Sequence, residues 1–557
     1  MQFRMLIALV LASGCSQGAA VESPWFADRT RELGLEFRYE SGASGRLHLP
    51  EVIGGGVGLF DADGDSDLEL FFPDGNLDPV TGAASGGLVD RLFRNDSGGR
   101  FLDVTDSSGL GDPGYGMGVA AGDVDNDGDP DVLVTNLGGA RLYENDGAGR
   151  FRDVSAAAGV DVTGWSCSAT FLDYDRDGFL DLYVTRYVAY DPAINCRSNS
   201  GRADYCNPKN YEPVSDVLLH NEGGGRFADV SGAAGITAAR APGLGVVSAD
   251  LDGDGWVDLY VANDGAPNQL WINGRDGTFR DRAWEMGCAV NLSGRAEAGM
   301  GVVAADLDGD RTLDLFVTHL SGETNTLYRN RGGGRGFQDA TGKSGTAASG
   351  IPFTGFGVAA MDVELDGDLD LLVVNGRVTW GEPNPKSLAP APWDRLAESK
   401  LFYLNDGAGR FTLDLQLAGE LGSSVEVSRG LAVGDLDADG DLDVAVNNIG
   451  SRSRVFFNEA PRAGRWLIVR AIDPRYRRDA LGAQIEVQAG GRRFLRPVES
   501  SSSYLSSHDP RAHFGLGPVA SVEVVRIAWP DGLREDFDVA CVDCAVELRR
   551  GAGRESQ

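Results

Sequence analysis

Histidine, lysine and methionine are scarce in this chain: five His, four Lys and six Met among 557 residues. The five histidines (His48, His220, His319, His508 and His513) form no H-E-x-x-H or similar ligand pair, which argues against a zinc hydrolase. The sequence also lacks a G-x-S-x-G elbow, a phosphate loop and a dinucleotide fingerprint. Basic residues number 50 against 83 acidic ones, a net charge of -33, so a nucleic-acid partner is excluded. Apart from a short stretch at the amino terminus there is no long apolar run, hence no expected membrane-spanning helix. Aromatics make up only 8% while Gly reaches 78 residues, a composition of many tight turns and short strands. With 42% apolar residues the chain can still build a core.

The acidity is concentrated. Seven nine-residue windows begin at Asp61, Asp123, Asp173, Asp250, Asp306, Asp362 and Asp435. They hold 32 carboxylates and two arginines (Arg176 and Arg311), so they carry -30 of the -33. Each window sits in the same frame. In the second copy Gly116-Met-Gly-Val-Ala-Ala-Gly122 is followed by the acidic loop, then Val132-Leu-Val-Thr-Asn136, then Leu142-Tyr-Glu-Asn145, then Phe151-Arg-Asp153. Four short apolar runs separated by turns read as one four-stranded antiparallel sheet. Seven copies in one chain predict an all-β fold, a seven-bladed β-propeller. Phe26-Ala-Asp28 matches the fourth run, whereas the last copy ends at Phe456-Phe-Asn458 without one. The amino-terminal run is therefore expected to complete the last sheet and close the ring.

Within each loop, Asp-x-Asp-x-Asp-Gly-x-x-Asp places carboxylates at positions 1, 3, 5 and 9. Oxygen ligands without His or Cys select calcium first and magnesium second. The expected ligands are Asp61, Asp63, Asp65 and Glu69; Asp123, Asp125, Asp127 and Asp131; Asp173, Asp175, Asp177 and Asp181; Asp250, Asp252, Asp254 and Asp258; Asp306, Asp308, Asp310 and Asp314; Asp362, Glu364, Asp366 and Asp370; and Asp435, Asp437, Asp439 and Asp443. Up to seven calcium ions would fit. Position 12 is Val134 or Val446, inside an expected strand, so these are not EF-hands. Three loops depart from the pattern: loop one has Ser66 and Glu69, loop six has Glu364, and loop five has Arg311 at position 6, expected to add a positive charge near its site. His220 stands where other copies carry Tyr and reads as a packed strand residue.

The loops and runs resemble the FG-GAP repeats of the integrin α-subunit propeller over roughly residues 25–460. That resemblance implies metal loops joining the first and second strands of each blade. From 461 to 550 the acidic loops stop and period-two strands appear at Trp466–Arg470, 483–488 and 522–529. Asp479-Ala-Leu-Gly-Ala483, Tyr504-Leu-Ser506, His513-Phe-Gly-Leu-Gly517 and Trp529-Pro-Asp-Gly532 resemble the ASPIC/UnbV domain, a small β-rich unit. The whole chain is similar to bacterial relatives of the cartilage acidic protein family.

Residues 1–20 read as an export signal, with Arg4 before a short apolar segment. Leu11-Ala-Ser-Gly-Cys15 fits a lipobox that would lipidate Cys15; an ordinary cut after Ala20 is the alternative. The protein is thus expected at the outer membrane or cell surface, or else secreted or periplasmic, touching membrane only through a lipid anchor. In that oxidising setting Cys196 with Cys206, and Cys541 with Cys544, are the expected disulfides; a zinc site is the rival reading, although no His lies close in sequence, and Cys167 and Cys288 stay unassigned.

Long insertions between the second and third runs cover 73–90, 187–215 and 377–400. They would lie on the face opposite the metal loops, which makes that face the expected ligand surface. Tyr190, Tyr205, Tyr211, Trp380 and Trp393 are its candidate contacts, unless they cover the insertions' own cores. The expected function is non-catalytic recognition or adhesion toward a glycan or a cell-surface or secreted protein. A polysaccharide-active enzyme on the same scaffold is the alternative.

Overall fold

The structure is a computed structural model that describes residues 23–75, 89–96, 100–198 and 200–556. The expected export signal, Cys15 and most of the first insertion lie outside these residues. The fold is all-β, and the helices among the described residues are single turns between strands.

Seven sheets share one plan. In the second, Gly116–Gly122, Asp131–Asn136, Arg141–Asn145 and Phe151–Asp153 pair in sequence order, each antiparallel to the next. The innermost strand of each sheet is buried almost throughout, because it is packed on both faces. These inner strands begin at Gly58, Gly116, Ser166, Gly243, Val302, Gly355 and Ser428, and each contacts the next in order, Ser428–Gly434 returning to Gly58–Phe60. The sheets therefore surround one axis as a β-propeller.

Small residues allow the close approach. A Cβ on Gly56 would lie 2.0 Å from the Leu505 carbonyl oxygen, and one on Gly118 2.8 Å from the same atom. The outermost runs bury their Phe and expose the residue after it, as in Phe101–Asp103 and Phe151–Asp153. Closure occurs as the sequence predicts: Phe26–Asp28 pairs antiparallel with Arg454–Asn458, Phe26 opposite Asn458. Arg454 ties this seam, bonding Asp28 and, at 2.9 Å, the buried Glu426, which also accepts from buried Lys400 at 3.1 Å.

Beyond residue 464 the chain forms two further sheets. Arg465–Asp473 pairs with Ala512–Gly517 and, in parallel, with Cys544–Arg549. Gln484–Ala489 lies between Arg492–Pro497 and Val522–Ala528. Their core residues Leu467, Ile485, Phe514 and Trp529 are continuous with Ala120, Phe171 and Leu180 of the second and third sheets.

This carboxy-terminal part also fills the propeller axis. Ser500 to His508 run along it and bond to inner strands all round. Tyr504 Oη donates to the Ile53 carbonyl (2.8 Å), Val119 N–H to Leu505 O (3.2 Å), Leu505 N–H to Ser168 Oγ (3.1 Å), and Ser503 and Val302 exchange two backbone bonds (2.7 and 3.0 Å). Val358 N–H donates to Ser503 Oγ (2.9 Å) and Val433 N–H to His508 Nδ1 (3.2 Å).

Both expected disulfides are present, Cys196–Cys206 and Cys541–Cys544; Cys167 and Cys288 are buried free thiols.

Candidate metal centres

Each acidic loop turns tightly between the first and second strands of its sheet. Position 1 organises the turn. In all seven loops its Oδ2 accepts the backbone N–H of position 6: Ser66 to Asp61 (3.1 Å), Gly128 to Asp123 (2.9 Å), Gly178 to Asp173 (3.1 Å), Gly255 to Asp250 (2.8 Å), Arg311 to Asp306 (3.1 Å), Gly367 to Asp362 (2.8 Å) and Gly440 to Asp435 (3.1 Å). The turn brings carboxylates together. Ligand atoms of Asp61, Asp63 and Glu69 lie within 4.8 Å of one another, as do those of Asp123, Asp125 and Asp127, of Asp173, Asp175 and Asp177, and of Asp250, Asp252 and Asp254.

Burial, and then repulsion from positions 3 and 5, raises the position-1 carboxyls. Asp123 and Asp435 are pushed to about 7, Asp362 to about 8, and Asp173, Asp250 and Asp306 to about 6. Several buried oxygens in the loops have no hydrogen-bond partner: Asp63 Oδ1, Asp173 Oδ1, Asp306 Oδ1 and Glu364 Oε2. Buried, mutually repelling carboxylates with orphaned oxygens are a donor set that fits a hard divalent cation.

Position 9 does more than the sequence suggests. Its carboxylate spans the loop and the third strand: Asp131 accepts from Val124 N–H (2.9 Å) and Asn145 N–H (2.9 Å), and Asp258 from Leu251 (3.0 Å) and Asn273 (2.9 Å). The Asn at the end of each third strand then reaches back to the previous loop. Its Nδ2 donates to the position-2 carbonyl: Asn145 to Ala62, Asn221 to Val124, Asn273 to Tyr174, Asn330 to Leu251, Asn405 to Leu307, Asn458 to Val363 and Asn95 to Leu436, all at 2.8–2.9 Å. Every loop is thereby fastened to the next sheet. Sequence reasoning missed these seven residues, although an Asn recurs at the end of every third run.

The irregular loops resolve individually. Arg311 leaves its loop and pairs with Glu486 of the carboxy-terminal part (3.1 Å), so its charge is compensated there. Glu364 packs against Asp370, which burial and then the Glu364 charge push well above the carboxylate range. His220 is more than a packed residue: its Nδ1 lies 2.9 Å from Asp181 and 3.5 Å from Asp175, at the edge of loop three.

The carboxy-terminal sheets cover this face. Arg511 donates to Ser66 O (3.3 Å), Arg478 to Asn126 Oδ1 (2.9 Å) and Gly178 O (3.2 Å), Arg492 to Asp366 O (2.7 Å), and His513 Nε2 meets Gly440 O (2.9 Å). In loops three, six and seven position 6 meets an aromatic side chain from above: a Cβ would lie 2.0 Å from Tyr476 at Gly178, 2.6 Å from Phe494 at Gly367 and 2.0 Å from Trp466 at Gly440. His508 and His513 each make their own propeller contact, and burial lowers both to about 4.

On the insertion side the candidate aromatics pack inward. Tyr205, Tyr211 and Trp393 are buried, and Tyr190 and Trp380 are half-buried. Tyr205 stacks on Trp380 across the second and third insertions, ring centres 6.2 Å apart. Tyr190 lies edge-on to Trp165 and bonds His48 Nδ1 at 2.9 Å. These rings form a floor beneath the insertions, while Arg197, Arg202, Lys386 and Leu388 face outward.

An FG-GAP-like repeat family matches residues 60–134, 123–184, 250–317 and 306–373, and the ASPIC and UnbV family matches 473–555. Cartilage acidic protein 1 of Mus musculus is 26% identical over 366 residues, which cover 64% of this chain and 43% of that protein. The Homo sapiens protein is 26% identical over 370 residues, 64% of this chain and 42% of its own length. The matched region thus spans less than half the length of these relatives. Among solved structures, the BP39L lectin from Burkholderia pseudomallei aligns with a TM-score of 0.41 at 12% identity, covering 73% of this chain and 97% of that one. The chain carries FG-GAP-like repeats followed by an ASPIC and UnbV domain, and over the matched region it is similar to cartilage acidic protein 1.

Proposed function

We propose that the chain is an exported, calcium-loaded, seven-bladed propeller of the integrin-α type that acts as a recognition or adhesion module and catalyses nothing. The ligand is a glycan or a cell-surface or secreted protein, and it meets the insertion face. One observation carries this reading: the chain's own carboxy-terminal residues cover the metal-loop face, whereas Arg197, Arg202, Lys386 and Leu388 of the insertions face outward. Rigid scaffolds commonly recognise partners through such loops. Calcium is supported by seven oxygen-only loops and by carboxyls that burial drives toward protonation without a cation. Seven ions would shift the formal charge from -33 by about half.

The test is a glycan and secreted-protein binding screen on the calcium-loaded protein, repeated with the exposed Arg197, Arg202 and Lys386 replaced by Ala. Loss of the captured ligand in this variant, with melting unchanged, is expected. A ligand held equally by both forms would place recognition elsewhere, and calcium-dependent glycan cleavage would sink the non-catalytic reading.

A further inference from the structure

A cavity of about 550 Å³ lies between loops one and two and the carboxy-terminal sheets. That volume is typical of small-molecule sites, which run from about 300 to 1,000 Å³ and favour domain boundaries. One wall is apolar, with Leu68, Ile468 and Leu481. The charged wall is largely self-paired: Arg470 grips Asp479 through two bonds (2.9 and 3.0 Å), and Arg511 grips Asp509 (2.9 and 2.7 Å). Four further carboxylates line the cavity: Asp61 and Asp123, the position-1 residues of loops one and two, Asp129, and Glu547, which pairs with Arg549.

His508 lines the cavity, and its tautomer follows from its partner. Val433 N–H donates to Nδ1, so the ring proton sits on Nε2, which is buried and has no hydrogen-bond partner. Arg477 also lines the cavity; it is exposed there and, among the described residues, has no carboxylate within ion-pair distance. A second chamber of about 120 Å³ shares the wall from His508 to Arg511. In it Arg496 spends Nη1 on the Leu495 carbonyl (2.9 Å), while Nε and Nη2, the edge that grips a carboxylate in Arg470, are buried without partners. The unpartnered oxygen there, Glu499 Oε2, belongs to a carboxyl that burial raises to about 8, so it too holds a proton. The buried nitrogens left without hydrogen-bond partners, His508 Nε2 and Arg496 Nε and Nη2, are donors, and Arg496 also stands in the field of Asp362 and Asp306. A buried cation and buried N–H groups are costly unless acceptors meet them.

We infer that this interdomain space is a binding site for a small, hydroxyl-rich organic carboxylate, of the size and chemistry of an acidic sugar. The carboxylate satisfies the vacant guanidinium and imidazole donors, and the ring's C–H face lies on the apolar wall. The site is separate from the insertion face, so it stands or falls independently of the recognition function proposed there.

Calorimetric titration and thermal melting of the full chain in calcium test it, with glucuronate, glucose and inorganic phosphate as probes. Glucuronate is expected to bind saturably and raise the melting temperature, and glucose is not. Arg477→Ala, an exposed change, should weaken glucuronate about tenfold or more while leaving ligand-free melting unaltered. Arg496→Lys provides a second variant with the charge kept and the fork removed, and the same weakening is expected. No saturable glucuronate binding, equal binding of glucose, binding of phosphate alone, or wild-type affinity in both variants would each overturn the assignment.

Discussion

The side-chain amide of Asn95 donates to the Leu436 carbonyl at 2.9 Å, joining residues 341 apart in the chain. Six equivalent bonds link neighbouring repeats; this one crosses from the first sheet to the last loop. Asn95→Ala leaves a buried carbonyl unmatched and is expected to cost about 1–3 kcal/mol. Urea unfolding measures it, and a midpoint equal to wild type would show that the amide holds nothing together.

Metal binding should appear as stability. Excess chelator is expected to lower the melting temperature, because an ion bound only by the folded loops contributes about 2.7 kcal/mol at a hundredfold excess over its dissociation constant. Replacing Asp123 and Asp127 with Asn should remove one ion from the count in native mass spectrometry. An unchanged melting temperature in chelator rejects the calcium assignment.

Two glycines separate backbone strain from docking. Gly64 and Gly440 both have positive φ (77° and 93°), but a Cβ on Gly64 meets nothing within 4 Å whereas one on Gly440 runs into Trp466. Gly64→Ala should cost only the backbone strain, about 1–2 kcal/mol. Gly440→Ala should also lift the carboxy-terminal sheets from loop seven, seen as faster amide exchange at 500–508. Equal exchange in the two variants would mean that the aromatic cover is dispensable.

Acid should weaken the structure through two histidines. His508 and His513 are lowered to about 4 by burial, whereas an unfolded chain protonates them near pH 6.5. As pH falls below 6.5 the unfolded state takes up these protons first. Their contribution to stability therefore declines down to about pH 4, by roughly 1.4 kcal/mol per pH unit for each ring. His508→Gln, compared with wild type at pH 7 and pH 5, should show a shallower loss; an identical slope would exclude its contribution.

Much of the fold is legible because it is written locally. The strands of each repeat follow from runs of four to seven residues between turn formers, and the seam follows from one missing Phe-x-Asp at the end and one spare at the start. The two disulfides are also short-range, at separations of 10 and 3. The partners that sequence reasoning missed are distant. Arg311 looks like a flaw in its loop until Glu486, 175 residues on, is beside it. The third-strand Asn reads as a turn residue, because its acceptor belongs to another repeat. Tyr205 and Trp380 read as candidate ligand contacts, since neither insertion alone reveals that the other stacks on it. In loops three, six and seven position 6 has two roles, turning the backbone and admitting an aromatic cover, and only the first is visible in a single repeat.

Tyr504 gives the molecule an order of assembly. The axis of the ring is occupied by a segment that comes after all seven sheets in the chain. A polypeptide emerging amino end first therefore exposes every repeat before its hub exists. Contacts such as Ser507 with Val57 span some 450 residues and form late in any pathway that builds outward from local structure. The ring is consequently a poor candidate for shortening: an open solenoid tolerates loss of a terminal repeat, whereas here both termini bear on the same closure.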